Sequence, residues 1–181
     1  MHFAPDTSDT LEFVVALCNT SPGASRSGLD ELSSPSALTA LLVLHSYSGR
    51  FDRDDSELAS VLATRDLLRS VWTSSRDAAV ASVNKMLRDA AALPYLLKHD
   101  HFDWHLHATP VDAPLAERIR VEAAMALIDV IRSDEMGRMR VCAAPDCDGL
   151  LLDLSRNGSK QYCSVRCGNR VNQEAWRGRS G

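Results

Sequence analysis

Four of the five cysteines fall in the last quarter of the chain, as Cys142-Ala-Ala-Pro-Asp-Cys147 and Cys163-Ser-Val-Arg-Cys167. The spacing is C-x4-C, fifteen intervening residues, then C-x3-C. Two short-loop pairs joined by a hairpin-length connector bring four soft donors to one point, as tetrahedral zinc requires. Four protein ligands leave no position open for water, so the expected ion is one structural Zn2+ held by Cys142, Cys147, Cys163 and Cys167. Four free or disulfide-bonded cysteines are the alternative at this point. Zinc thiolates can also be oxidised with release of metal, which adds a redox switch to the possibilities.

A second group with ligating chemistry is the histidine-rich stretch from His99 to His107. His105 and His107 alternate, so on a strand they point the same way and could chelate a second metal, although only Asp103 offers a third donor nearby. Cys18, between Leu17 and Asn19, reads as a buried apolar side chain rather than a reactive thiol. There is no Gly-rich phosphate loop, no nucleophile elbow and no His-Glu-x-x-His helix, so no enzyme is expected.

The elements that must position the cysteines follow from local patterns. Met139-Arg140-Val141 can pair with the stretch from Gly149 to Leu154, and Arg156-Asn157-Gly158-Ser159 reads as a turn. A helix starting near Ser164 follows. The layout is knuckle, hairpin and helix, a treble-clef-like β-hairpin/α module over 138–181. Its roughly 44 residues build little core, so the metal should supply a large share of its folding energy.

The rest of the chain, 1–137, reads as mainly helical. Helices are expected from Asp9 to Cys18, from Ser36 to Ser46 behind Ser34-Pro35, from Asp54-Asp55 to Trp72, from Ser75 to Ala92 ahead of Pro94, and from Pro114 to Ser133. Between the last two, His101 to Ala108 alternates as a half-buried strand. Phe102, Trp104 and Leu106 are expected on its apolar face and the histidines on the other. The fold class is therefore mainly α with a short β element, followed by the zinc-stabilised module, with the boundary near Gly137.

The 181 residues are 45% hydrophobic, and the formal net charge is -4. No apolar run approaches the roughly 20 residues a membrane helix needs. With no signal-like N-terminus, the expected location is cytoplasmic. An acidic total argues against a nucleic-acid partner until it is divided. The module carries eight basic and four acidic side chains, or +4, and the remainder is -8. On the terminal helix Arg166, Arg170, Gln173 and Arg177 share one face, with Val171, Ala175 and Trp176 on another suited to packing on the hairpin. Arginine forks match phosphates and base edges, although such a face can equally be solvated surface.

Cys142-x4-Cys147, Leu152-Asp153 with Ser155-Arg156-Asn157-Gly158-Ser159, Tyr162-Cys163-Ser164 and Cys167-Gly168-Asn169-Arg170 together resemble the CGNR-type zinc finger. In that family the finger usually follows a domain called ABATE, and the pair is described as a stress-induced transcription regulator of bacteria. Phe13 to Thr20, the helical order, and the Leu-, Ala- and Ile-rich helix leading into the finger resemble that domain. The resemblance implies DNA as the partner. Arg156, Lys160, Arg166, Arg170 and Arg177 are the expected contacts, and the N-terminal domain would sense a small-molecule ligand or mediate homodimerisation. The competing expectation is a zinc-stabilised protein-interaction module.

Overall fold

The computed structural model describes residues 3–98 and 103–178. Serines and an aspartate start four of its helices. The side chains of Ser34, Asp54, Ser75 and Ser164 accept hydrogen bonds from the backbone N–H groups of Ala37, Glu57, Ala78 and Cys167. The helices they open are α2 (Pro35–Leu44), α3 (Asp55–Trp72), α4 (Arg76–Asp89) and, in the module, α6 (Val165–Arg177). Two more begin at or just after a proline, α1 (Pro5–Cys18) and α5 (Leu115–Arg132). α1 starts four residues before the position expected from Asp9, because Pro5 already has the fixed φ of a first helical turn.

α5 is the centre of the helical layer and packs against α1, α3 and α4. Its buried Leu115, Ile119, Ala123, Ala126, Leu127 and Val130 meet Leu11, Val14 and Leu17 of α1 and Val61, Leu68 and Trp72 of α3 in one continuous core. At about 25 cal/mol per Å2 of apolar surface, side chains of this size each contribute about 1.5–3 kcal/mol when fully covered. Arg65 is buried in this region, and its guanidinium donates to both oxygens of Asp30 at 2.8 and 2.7 Å. That pair fixes the loop between α1 and α2.

The β element of this domain differs from expectation. Strand β2 is short, His105–His107, and it pairs antiparallel with β1, Tyr95–Leu97, where the sequence pattern predicts no strand. His101 and Phe102 lie outside the described residues. The faces are also reversed: Trp104 is 68% exposed and Leu106 48%, whereas His105 and His107 are half-buried. The hairpin is laid against a cleft with its histidine side inward, so burial there follows the cleft and not hydrophobicity.

Beyond α5, a single 3-10 turn (Met136–Arg138) leads into β3 (Met139–Val141), paired as expected with the Gly149 to Leu154 stretch, of which β4 takes Leu150–Leu152, with Arg140 opposite Leu151. This hairpin does not stand apart. Met139, Leu150 and Leu152 belong to the same core as the helices, and β4 packs on α1. Trp72 Nε1 donates to the Arg140 carbonyl, and Arg69 bridges the carbonyls of Cys18 and Asp148. The helical domain thus supplies part of the packing that the short module lacks.

Candidate metal centre

Three features of the local sequence bring the four thiols together. The Pro145-Asp146 turn folds the first knuckle, closed by the Cys147 N–H to the Ala144 carbonyl. The hairpin then returns the chain, with Cys142 N–H donating to the Gly149 carbonyl at 2.7 Å. Ser164 finally starts α6 so that Cys167 sits in its first turn.

The sulfur atoms Cys147–Cys163, Cys163–Cys167 and Cys167–Cys147 lie 3.6, 3.7 and 3.7 Å apart, and all four ligand atoms fall within 4.8 Å of one another. A tetrahedron of thiolates about 2.3 Å from zinc has edges of about 3.8 Å, whereas a disulfide would need about 2.05 Å. All five cysteines are free thiols. The donor set and its spacing therefore fit one structural Zn2+.

The surroundings are arranged for thiolate charge. The N–H of Gly149 points at Cys147 Sγ and that of Cys163 at Cys142 Sγ, both at 3.4 Å, which is how outer-shell donors orient metal-bound sulfur. Gly149 is required by contact: a Cβ there would stand 2.7 Å from Cys163 Sγ and 3.0 Å from Cys147 Sγ. Gly168 has a similar reason, since a Cβ would come within 3.2 Å of the Tyr162 ring. Burial pushes the Cys163 thiol up. At Cys167 burial acts the same way but is outweighed by the Ser164 hydroxyl and the neighbouring thiols, which hold it below the usual value.

Asp153 is the second organiser. It is wholly buried, and its carboxylate accepts from the Ser155 N–H and hydroxyl and from the Lys160 N–H at 2.9 Å, and it forms an ion pair with Arg140 at 3.2 Å. Burial alone would raise its pKa, but these donors lower it below the usual carboxylate range. They also fix the turn at 155–160.

The expected nucleic-acid contacts stand around this frame. Arg156 is exposed on the turn, and Arg177 is exposed at the end of α6. Lys160 is exposed, and its ammonium donates to the Leu152 carbonyl at 3.1 Å. Arg166 reaches the Arg26 carbonyl at 2.8 Å, and Arg170 lies 3.5 Å from Asp146. One expectation is corrected: α6 does not pack on the hairpin. It has no buried residue, Ala175 is exposed and Trp176 is 65% exposed. The hairpin's apolar side is already taken by α1.

His105 and His107 do meet, with Nε2 atoms 2.8 Å apart. Among the described residues, however, the cysteine cluster is the only set of three or more donors close enough for a metal. Cys18 has the character expected of it: burial pushes its thiol up to about 12 against the opposing pull of Arg69 and Arg65.

Two groups were not singled out from the sequence. Asn19 figured only in the resemblance, yet it clamps β4. Tyr47, Arg118 and Glu122 line a cleft of about 450 Å3 in the helical domain. Arg118 and Glu122 share one face of α5, but Tyr47 and Asn19 meet their partners across long stretches of chain, which no local spacing reveals.

A closed four-thiolate site on a knuckle, hairpin and helix, joined to a helical domain through a shared core, defines a zinc-finger protein with an N-terminal helical domain. Family models agree with that architecture. Residues 138–180 match the CGNR zinc finger, and residues 11–134 match ABATE, described as "Putative stress-induced transcription regulator". The chain belongs to the ABATE family and carries a CGNR zinc finger. Both descriptions are of regulatory or zinc-finger proteins rather than enzymes. No curated protein matches the chain. Among the described residues no helix is long and apolar enough to cross a membrane.

Proposed function

We propose that the chain is a transcription regulator that binds DNA through its zinc finger, with the helical domain sensing a ligand. The observation that carries this reading is α6, a cationic helix of 13 residues that buries none of them. A helix of that length is marginal alone, and beyond Cys167 and the contact of Gly168 with Tyr162 it buries nothing of its own chain. That leaves most of its surface for a partner. Arg166, Arg170 and Arg177 are spaced to share one side, and Asn169, Asn172 and Gln173 are exposed beside them. Guanidinium forks suit phosphates and guanine edges, and side-chain amides suit adenine. Arg156 and Lys160 on the neighbouring turn extend the phosphate-facing set. The charge division, +4 in the finger against -8 elsewhere, supports binding confined to the finger.

α1 provides a route for sensing. Its residues Asp6, Thr10 and Phe13 line the cleft, and its C-cap residue Asn19 is hydrogen-bonded to β4 of the finger. A ligand that moves α1 therefore bears on the hairpin that carries the metal site.

Gel shift with random duplex DNA at low salt tests the reading. Wild type should bind, with an affinity that falls steeply as salt rises. The Arg166→Ala/Arg170→Ala/Arg177→Ala variant should retain its zinc and lose binding. Failure of the wild type to bind at tens of mM salt sinks the proposal. The contacts of Arg166 with Arg26 and of Arg170 with Asp146 favour a second reading, a finger that docks on acidic protein surfaces. Salt-resistant protein complexes without DNA retention would select it.

A further inference from the structure

The cleft of about 450 Å3 has a direction. α5 forms its floor, with Arg118, Glu122, Met125, Asp129 and Arg132 recurring at steps of four, three, four and three along one face. α1 runs antiparallel above it. The Thr7 hydroxyl donates to Asp129 at 2.7 Å, while Phe13, one and a half turns on, stacks at 4.9 Å on Tyr47, whose hydroxyl donates to Glu122. Asp129 and Glu122 are two turns apart, about 10 Å along the axis. One end of the cleft therefore holds Asp129 and Asp6, with Asp9 at the rim. The middle is apolar, with Phe13, Met125 and Ile128, and Tyr47 and Glu122 stand at the other end.

The volume is within the range of about 300–1,000 Å3 typical of small-molecule sites, and an apolar wall with few convergent polar groups is their usual make-up. The charges select the ligand. Arg118 is buried, and three of its five N–H groups, on Nε, Nη1 and Nη2, already donate to the carbonyls of Ala113, Ser48 and Arg50, which holds it to its own backbone three turns along α5 from Asp129. Arg132 at the acidic end is exposed, and the cleft there is also lined by the carboxylates of Asp6, Asp9 and Asp129.

We propose that this cleft takes a small lipophilic amine. Its ammonium would sit against Asp6 and Asp129 and its apolar body along Phe13, Met125 and Ile128. The assignment deepens the sensor reading given above and rests on it for its purpose, but binding itself is measured without DNA.

Calorimetry on the full zinc-loaded chain, with 4-phenylbutylamine, 4-phenylbutanol and 4-phenylbutyrate as matched probes, decides it. The amine should bind saturably at one per chain, and the alcohol about ten- to hundred-fold more weakly, the usual worth of a hydrogen bond to a charged group. The acid should not bind. Asp129→Asn should weaken the amine about tenfold or more with zinc content and circular dichroism unchanged. Asp6→Asn, in a half-buried first turn, should do the same and covers the case in which Asp129→Asn misfolds. Equal or tighter binding of the acid, no binding of any probe to the folded chain, or wild-type amine affinity in both variants overturns the proposal. If the amine binds with these properties but leaves DNA affinity unchanged, the cleft assignment stands and the sensor reading fails.

Discussion

The side-chain amide of Asn19 and the backbone of Leu150 exchange two hydrogen bonds. Nδ2 donates to the Leu150 carbonyl at 2.9 Å, and Oδ1 accepts from its N–H at 2.7 Å. The amide thereby acts as one residue of an extra strand on the open edge of β4. It does so from the C-cap of α1, so one side chain ties the helical domain to the strand that follows Gly149 and its metal knuckle.

Replacing Asn19 with Ala should leave a donor and an acceptor of buried Leu150 unpaired. Each orphaned group costs about 1–3 kcal/mol. A loss of about 2–4 kcal/mol is expected, read as a lower urea midpoint with an unchanged slope. Asn19→Asp keeps the acceptor but sets a carboxylate against the Leu150 carbonyl, and it should recover little. A midpoint equal to that of wild type in both variants would show that the clamp does not contribute.

Gly149→Ala tests the closeness of the thiol cluster. Its Cβ would meet two sulfur atoms at 2.7 and 3.0 Å, neither of which can retreat without leaving the ligand position. Zinc affinity should fall about tenfold or more, the scale of effects seen for supporting groups around metal sites. A chromophoric chelator titration reads it directly. Gly137→Ala meets nothing within 4 Å and should leave affinity unchanged.

The zinc site was legible in the sequence because its chemistry is local. Cys142, Cys147, Cys163 and Cys167 declare their role by type and spacing, and Ser164 announces the helix that carries the last of them. The helix faces followed from periodicity for the same reason. What escaped was set by distant partners. An apolar residue on a short helix ordinarily packs on what is nearest, which points Trp176 to the hairpin, but α1 covers that side. Alternation alone turns Trp104 and Leu106 inward, whereas in the structure His105 and His107 are the half-buried pair. Asn19 carries no signal in its own neighbourhood, because its partner is more than a hundred residues away.

Removing zinc should unfold less than the size of the module suggests. α6 covers no core, and the knuckle loops are held through the thiols, so both should lose amide protection on chelation. Leu150 and Leu152 sit in the core shared with α1 and should remain protected, as should α3 and α5. Hydrogen exchange before and after a chelator separates the outcomes. Loss of protection across β4 as well would mean that the metal, not the shared core, holds the hairpin.

Stability should also fall on acidification, and in a defined direction. Hydrogen bonds from Arg65 hold Asp30 below the ordinary value of 3.8, and Asp153 is lowered by Ser155, Lys160 and Arg140 despite its burial. A carboxyl whose folded pKa lies below its unfolded one binds fewer protons when folded. Its stabilisation is fully present above the unfolded value of 3.8 and is lost as pH falls through the folded one. Zinc release by protonated thiols would act in the same sense, so the carboxylate contribution must be isolated by comparing chelated proteins. Asp153→Asn should lower stability by about 2–3 kcal/mol at neutral pH, since an amide cannot accept from all the donors that surround it. It should also flatten the fall between pH 4 and the acid transition. An Asp153→Asn profile parallel to wild type down to that transition would mean that the Asp153 carboxylate is not the group whose protonation drives the loss.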